Sequence, residues 1–243
     1  MAIDPASLDA PFAALAAFDW GGDAKTLAPI DAAVVAAHGD ASLTAELEKR
    51  LAAVLGSPAP RAAKQYACRK LSLIGTAASV PALAALLADK DLSHMARFAL
   101  ERYAAPEATA VLRTALGSVE GDLKIGMLAS LAAKRDTASV PAIAALVTGD
   151  SAVAVAAAEA LGLIAGPEAA TALAAAQASG AAAEAVVDAR LACAEAFVKA
   201  GRKADARGIY EAVSKAVGEA PTTHRGRAVR MACQRGLFAA IDG

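Results

Sequence analysis

The chain has 243 residues, 57% of them apolar and only 4% aromatic, with a formal net charge of −1. Alanine supplies most of the apolar excess, which favours helix over strand, and no 18-residue window escapes a charge, Gly or Pro, so a membrane span is not expected. The near-zero net charge gives no global pull toward nucleic acid or anionic lipid. Charge is nevertheless banded: residues 1–60 hold 3 Lys/Arg against 8 Asp/Glu, 61–135 hold 11 against 6, 136–200 hold 2 against 7, and 201–243 hold 8 against 4.

In chain order, residues 1–60 read as an acidic helical cap. MAIDPASLDA has neither a basic n-region nor an apolar h-region, so no signal peptide is expected and the cytoplasm is the default compartment. Three helices follow: PASLDAPFAALAAF, TLAPIDAAVVAAHG and ASLTAELEKRLAAVLG. Asp4–Pro5 and Ser42 are the expected starts, and Gly39 and Gly56 the expected ends. Trp20, the only tryptophan, precedes Gly21–Gly22 and is expected to plug the joint between the first helices.

Residues 61–180 repeat themselves. ASVPALAALL (78–87) returns as ASVPAIAALV (138–147), and APEA (105–108) returns as GPEA (166–169). Each long unit splits in half, because the apolar set Leu83, Leu86, Leu87 reappears as Leu112, Ala115, Leu116 and then as Ile143, Leu146, Val147. The period is therefore about 30 residues. Each period holds a first helix of about 12 residues, with Ser79 or Ser139 as N-cap and Pro81 or Pro141 in the first turn. A second helix follows: 61–75, 92–103, 121–134 and 152–165. Gly126, inside one of these, marks a close approach to a neighbouring helix. A short helix hairpin leaves one apolar face bare, so successive hairpins must lean on one another and the same pattern is rewritten at each layer.

ASVPALAALL, the helix after it and the 30-residue period resemble the short HEAT-like repeats of bacterial proteins, sometimes called the phycobilisome-lyase type. The run 66–101 resembles a family of uncharacterised bacterial HEAT-repeat proteins. The resemblance covers 61–177 and implies an all-α fold: a right-handed α-solenoid of antiparallel helix hairpins with a binding or scaffolding role. Members of the narrower group are often exported, which implies a periplasmic or exported origin if this chain is a trimmed form.

Residues 181–243 depart from that phrasing. LACAEAFVKAGRKADARGIYEAV resembles a tetratricopeptide-type hairpin, and HRGRAVRMACQRGLFAAIDG reads as one more second helix. Leu237, Phe238 and Ile241 leave it without a polar end face. The C-terminal helix is therefore expected to pack back on the body, to meet another chain by self-association, or to lead into further repeats.

Catalytic patterns are missing from the chain. It has no phosphate-binding glycine loop, no nucleophile elbow and no His-Glu zinc signature. His38, His94 and His224 are far apart, and Cys68, Cys193 and Cys233 follow no disulfide or zinc spacing, so no metal and no cofactor is expected. HEAT-type di-iron hydroxylases need His-Glu pairs that this chain lacks. HEAT-like DNA glycosylases need an aromatic and a carboxylate on a basic face, for which Tyr66, Trp20, Tyr103 and Glu101 qualify only by residue type. The polar set on the second helices is more informative: Lys64, Gln65, Arg69, His94, Arg97, Glu101 and Lys124 come from three successive layers and would align as a mainly basic stripe on the concave side. Such a stripe suits an acidic peptide or a carboxylate. Its competing roles are an Arg97–Glu101 pair at i, i+4, and capping of backbone groups by His94 at a helix start. The expectation is a non-catalytic protein-binding scaffold. Nucleic-acid or phosphate binding through residues 61–135 is the alternative, disfavoured by the acidic bands on either side, and an enzyme on the same scaffold ranks below it.

Overall fold

The repeated decapeptide folds the same way twice. In the computed structural model, which describes residues 3–241, Ala77–Ser79 and Thr137–Ser139 form 3-10 turns, each followed by a five-residue helix with proline in its first turn. Ser79 (φ −91°, ψ −5°) and Ser139 (φ −84°, ψ −10°) have nearly the same backbone. This corrects two expectations. At the two decapeptides the first helix is much shorter than 12 residues, although its counterpart Pro106–Ser118 has 13, and neither serine hydroxyl caps it. After Ala84 the chain tightens into i→i−3 bonds, with Leu86 N–H on the Leu83 carbonyl (3.1 Å) and Leu87 N–H on Ala84 (3.1 Å). The 3-10 turn is capped one step earlier, by Thr76 Oγ1 accepting from Ala78 N–H at 3.2 Å.

Apart from one pair of two-residue strands, the regular structure of the described residues is helical. The chain divides into two compact units between Ser130 and Leu131. The first holds α1 (Asp9–Ala16), α2 (Ala28–Ala36), α3 (Ala41–Gly56), α4 (Arg61–Ile74), α5 (Val80–Ala84), α6 (Ser93–Arg102), α7 (Pro106–Ser118) and most of α8 (Gly121–Ala133). Asp40, not Ser42, caps α3, accepting from the Ser42 and Leu43 N–H groups at 3.0 Å. Leu43, Leu47, Leu51, Val54 and Leu55 form the stripe that α3 buries. Contacts run in two rows: α3, α5 and α7 touch in succession, and α4 touches both α3 and α6. The seam leucines Leu83, Leu86, Leu87, Leu112 and Leu116 are all buried.

The second unit holds α9 (Val140–Ala144), α10 (Ala152–Ile164), α11 (Pro167–Ala175), α12 (Gly180–Lys199), α13 (Lys203–Val217) and α14 (His224–Ala239). The two-row pattern recurs, with α9 against α11 and α10 against α12. Beyond it, α12, α13 and α14 close around Phe197, Ala206, Tyr210, Val213, Val229 and Cys233. The C-terminal helix thus packs back on its unit through Val229, Cys233 and Leu237, while Phe238 is 77% exposed and Ile241 61%. Trp20 is 72% exposed, so it does not plug a helix joint; Leu8, Leu15, Leu27 and Ile30 fill that part of the core. No described helix is long and apolar enough to cross a membrane.

Candidate protein-binding groove

The seven residues of the expected stripe separate into different environments. Arg97 and Glu101 are drawn into the contact between α6 and α8. Arg97 Nη1 donates to the Gly126 carbonyl and to Ser130 Oγ, both at 3.0 Å, and Ser130 Oγ donates to Glu101 Oε1 at 2.6 Å. A Cβ at position 126 would lie 2.7 Å from the guanidinium carbon, so Gly126 is a glycine because an arginine head needs its space. Burial lowers the Arg97 pKa, and the Glu101 carboxylate works against that. Lys124 pairs with Glu120 at 3.3 Å, and Lys64 and Gln65 are half-buried. Arg69 and His94 are exposed. The helix start at His94 is served by Asp89, whose Oδ1 accepts from Asp91 and Leu92 N–H, rather than by an imidazole cap.

Other basic groups of the first unit are also engaged. Lys70 pairs with Asp31 at 2.6 Å and Arg61 with Asp91 at 2.8 Å. The Tyr66 hydroxyl donates to Asp31 at 2.5 Å, and burial raises its pKa further. Tyr66 and Tyr103 are therefore core tyrosines. Sequence reasoning missed the group that organises this region: Glu48, buried on α3, accepts from Thr76 N–H at 2.6 Å and Ser79 N–H at 3.1 Å. A glutamate at a position in phase with Leu47, Leu51 and Leu55 was the available signal.

A groove lies in the second unit. The strands pair in parallel, Thr148 with Gln177 and Gly149 with Ala178, and each leads into a helix, so α10 and α12 start at the same end. Ser151 Oγ caps α10 by accepting from Ala154 N–H at 3.1 Å. Small residues let the two helices close in: a Cβ at Gly162 would lie 2.8 Å from the Ala189 Cα. A groove of about 480 Å³ opens along this seam, floored by Val155, Gly162, Ala185 and Ala189, with Leu163 61% exposed at its side. Glu159, Glu184 and Asp188 line it, and Arg225 reaches in from the first turn of α14. Arg225 Nε lies 3.2 Å from Glu184 and Nη2 2.9 Å from Asp188, and the Asp188 hydrogen bond raises the arginine's pKa. Glu159 makes no ion pair among the described residues. One guanidinium thus faces three carboxylates, leaving the groove negative.

The groove offers no activated nucleophile. The three cysteines are buried, and burial pushes the Cys68 thiol up to about 12 and the Cys193 thiol to about 11, which keeps both protonated. What it can offer is an apolar trough with a carboxylate edge. No protein-family model matches the chain, and no curated protein matches it.

Proposed function

We propose that the chain is a non-catalytic protein-binding module built as a HEAT-like α-solenoid, with a tetratricopeptide-like hairpin formed by α12 and α13. The repeated turn-plus-helix at Pro81 and Pro141 and the two-row contacts within each unit support the solenoid, since stacked hairpins bury their faces against their neighbours.

The observation that carries the binding reading is the groove between α10 and α12. Its apolar floor would hold an anchor side chain, and its unmatched carboxylate charge selects basic over acidic neighbours. The expected occupant is a partner segment that carries apolar and basic residues together. Anionic partners are disfavoured on two counts: the groove is negative, and Arg97, Lys70, Arg61 and Lys124 already have internal partners.

The test is fluorescence anisotropy with two labelled synthetic peptides of equal length, one pairing leucine with arginine and the other leucine with glutamate. The basic peptide should bind, weaken with salt, and lose about tenfold in affinity on Leu163→Glu. Equal affinity for the two peptides, or no effect of Leu163→Glu, would overturn the reading.

A further inference from the structure

The outer face of α14 has the composition that the groove selects. Over His224–Ala239 the helix holds no carboxylate; of its four arginines, Arg225 turns into this copy's own groove and Arg230 donates to the Gly218 carbonyl, while Arg227 and Arg235 are exposed. Its inner face is spent on the unit's own core through Val229, Cys233 and Leu237. Its outer face is not. Met231 and Phe238 stand two turns apart, Ile241 follows one turn later, and all three are exposed, with Arg235 exposed between them. Three large apolar side chains on one turn-spaced line, set among arginines, form a patch of the kind that marks a contact surface.

We infer that α14 of one copy docks into the α10–α12 groove of a second copy, so that the chain associates with itself head to tail. This rests on the groove reading above and names its partner. The pairing follows from charge. Two α14 faces meeting each other would set arginine against arginine, which disfavours a symmetric dimer through this helix. The groove has the opposite sign, and Glu159, without an ion partner of its own, is the carboxylate left for the incoming Arg235. Phe238 and Met231 would cover Leu163 and Val155. Because groove and helix are different surfaces, a molecule using one keeps the other open. The contact is heterologous and can extend beyond two copies.

Sedimentation velocity on the full chain over a wide concentration range tests this. The wild type should show species growing past the dimer as concentration rises, and shrinking with added salt. Phe238→Glu removes the plug and Leu163→Glu the socket, so each variant alone should be monomeric, with association weakened about tenfold or more. Mixed, the two should form a one-to-one dimer that grows no further, since one intact socket meets one intact plug. A wild type that stays monomeric throughout overturns the inference. So does a Leu163→Glu variant that dimerises by itself, which would mean α14 meeting α14. The Phe238→Glu variant separates this failure from that of the groove: if it binds the leucine–arginine peptide as the wild type does, the groove stands and only its proposed occupant is wrong.

Discussion

Two helix contacts in this molecule, α6 with α8 and α10 with α12, are built from opposite materials. In the first unit, α6 meets α8 through a guanidinium, a buried hydroxyl and a carboxylate, with Gly126 making room for the arginine head. In the second unit, α10 meets α12 through alanines, and Gly162 makes room for the backbone at Ala189. Helix contacts here therefore tolerate either a polar network, in which Arg97 Nη1 is bonded and the buried Nε is not, or close apolar packing. The polar contact fixes one arrangement through directional bonds. The alanine contact fixes it through the absence of spare volume. The second choice shapes the surface, because small side chains leave a trough along the helix seam.

The largest effect should come from the polar contact. Arg97→Ala should destabilise the chain by about 2 kcal/mol, because the buried Ser130 hydroxyl and the half-buried Glu101 carboxylate lose the guanidinium that faces them. Replacing both charged ends of the network together, Arg97→Met with Glu101→Leu, should return to within about 1 kcal/mol of wild type, since apolar residues of similar volume can stand in for a charged pair in a helix contact and Ser130 Oγ keeps the Gly126 carbonyl at 3.1 Å. Urea denaturation of the three proteins checks this. If the double variant is as unstable as Arg97→Ala, the network does more than fill the contact. The same geometry shows that Arg97→Glu would report on folding rather than on partner capture.

Next in size is the contrast between the two glycines. Gly162→Ala should cost about 1–2 kcal/mol, because the new methyl meets the Ala189 backbone, which cannot turn aside, and the strain exceeds the gain in helix propensity. Gly126→Ala should lie within about 1 kcal/mol of wild type, because its methyl meets the end of a flexible side chain. Once Arg97 is methionine, Gly126→Ala should become stabilising by about 1 kcal/mol, and this change of sign is a double-mutant coupling that equilibrium unfolding can read.

Much of this architecture was legible. The duplicated decapeptide announced a local unit written twice, and Pro81 and Pro141 do sit at the same point of the same turn-plus-helix. The second helices begin and end within a residue or so of where their apolar spacing put them. Local detail was less legible because serine, aspartate and threonine compete for the same caps. Asp40 displaced Ser42, and Thr76 displaced Ser79, since a side chain two or three positions earlier already faced the open N–H groups. The stripe was read from helical position alone, and position does not tell whether a guanidinium points to solvent or into the next helix. For Arg97 the hint was Gly126, some 30 residues on, in the next layer. Trp20 was expected to plug the first helix joint from its place before Gly21–Gly22, yet it is exposed and Leu8, Leu15, Leu27 and Ile30 are the buried residues there. The groove went unseen because it is made of alanines, which carry no chemical signature, and the carboxylates along it look like an ordinary solvated helix face.

The smallest effect separates the two units by pH. Tyr103 of the first unit has its pKa pushed up to about 12, mainly by burial and also by the charge of Glu48, with the Ser79 hydroxyl at 2.8 Å working the other way. A tyrosine that keeps its proton longer when folded than when unfolded contributes stability below pH about 10 and loses it as pH rises toward 12. Wild-type stability should therefore fall between those values. Tyr103→Phe should remove part of that slope while costing about 1 kcal/mol at neutral pH for the lost hydrogen bond. Tyr210 of the second unit is also raised by burial, but among the described residues no hydrogen bond to another side chain accompanies it, so Tyr210→Phe should flatten the alkaline slope without a matching hydrogen-bond loss at neutral pH. Unfolding free energies of the two variants from pH 8 to pH 12 would show whether alkaline sensitivity belongs to the polar unit, and equal behaviour at neutral pH would mean that the Ser79–Tyr103 bond contributes nothing net to the fold.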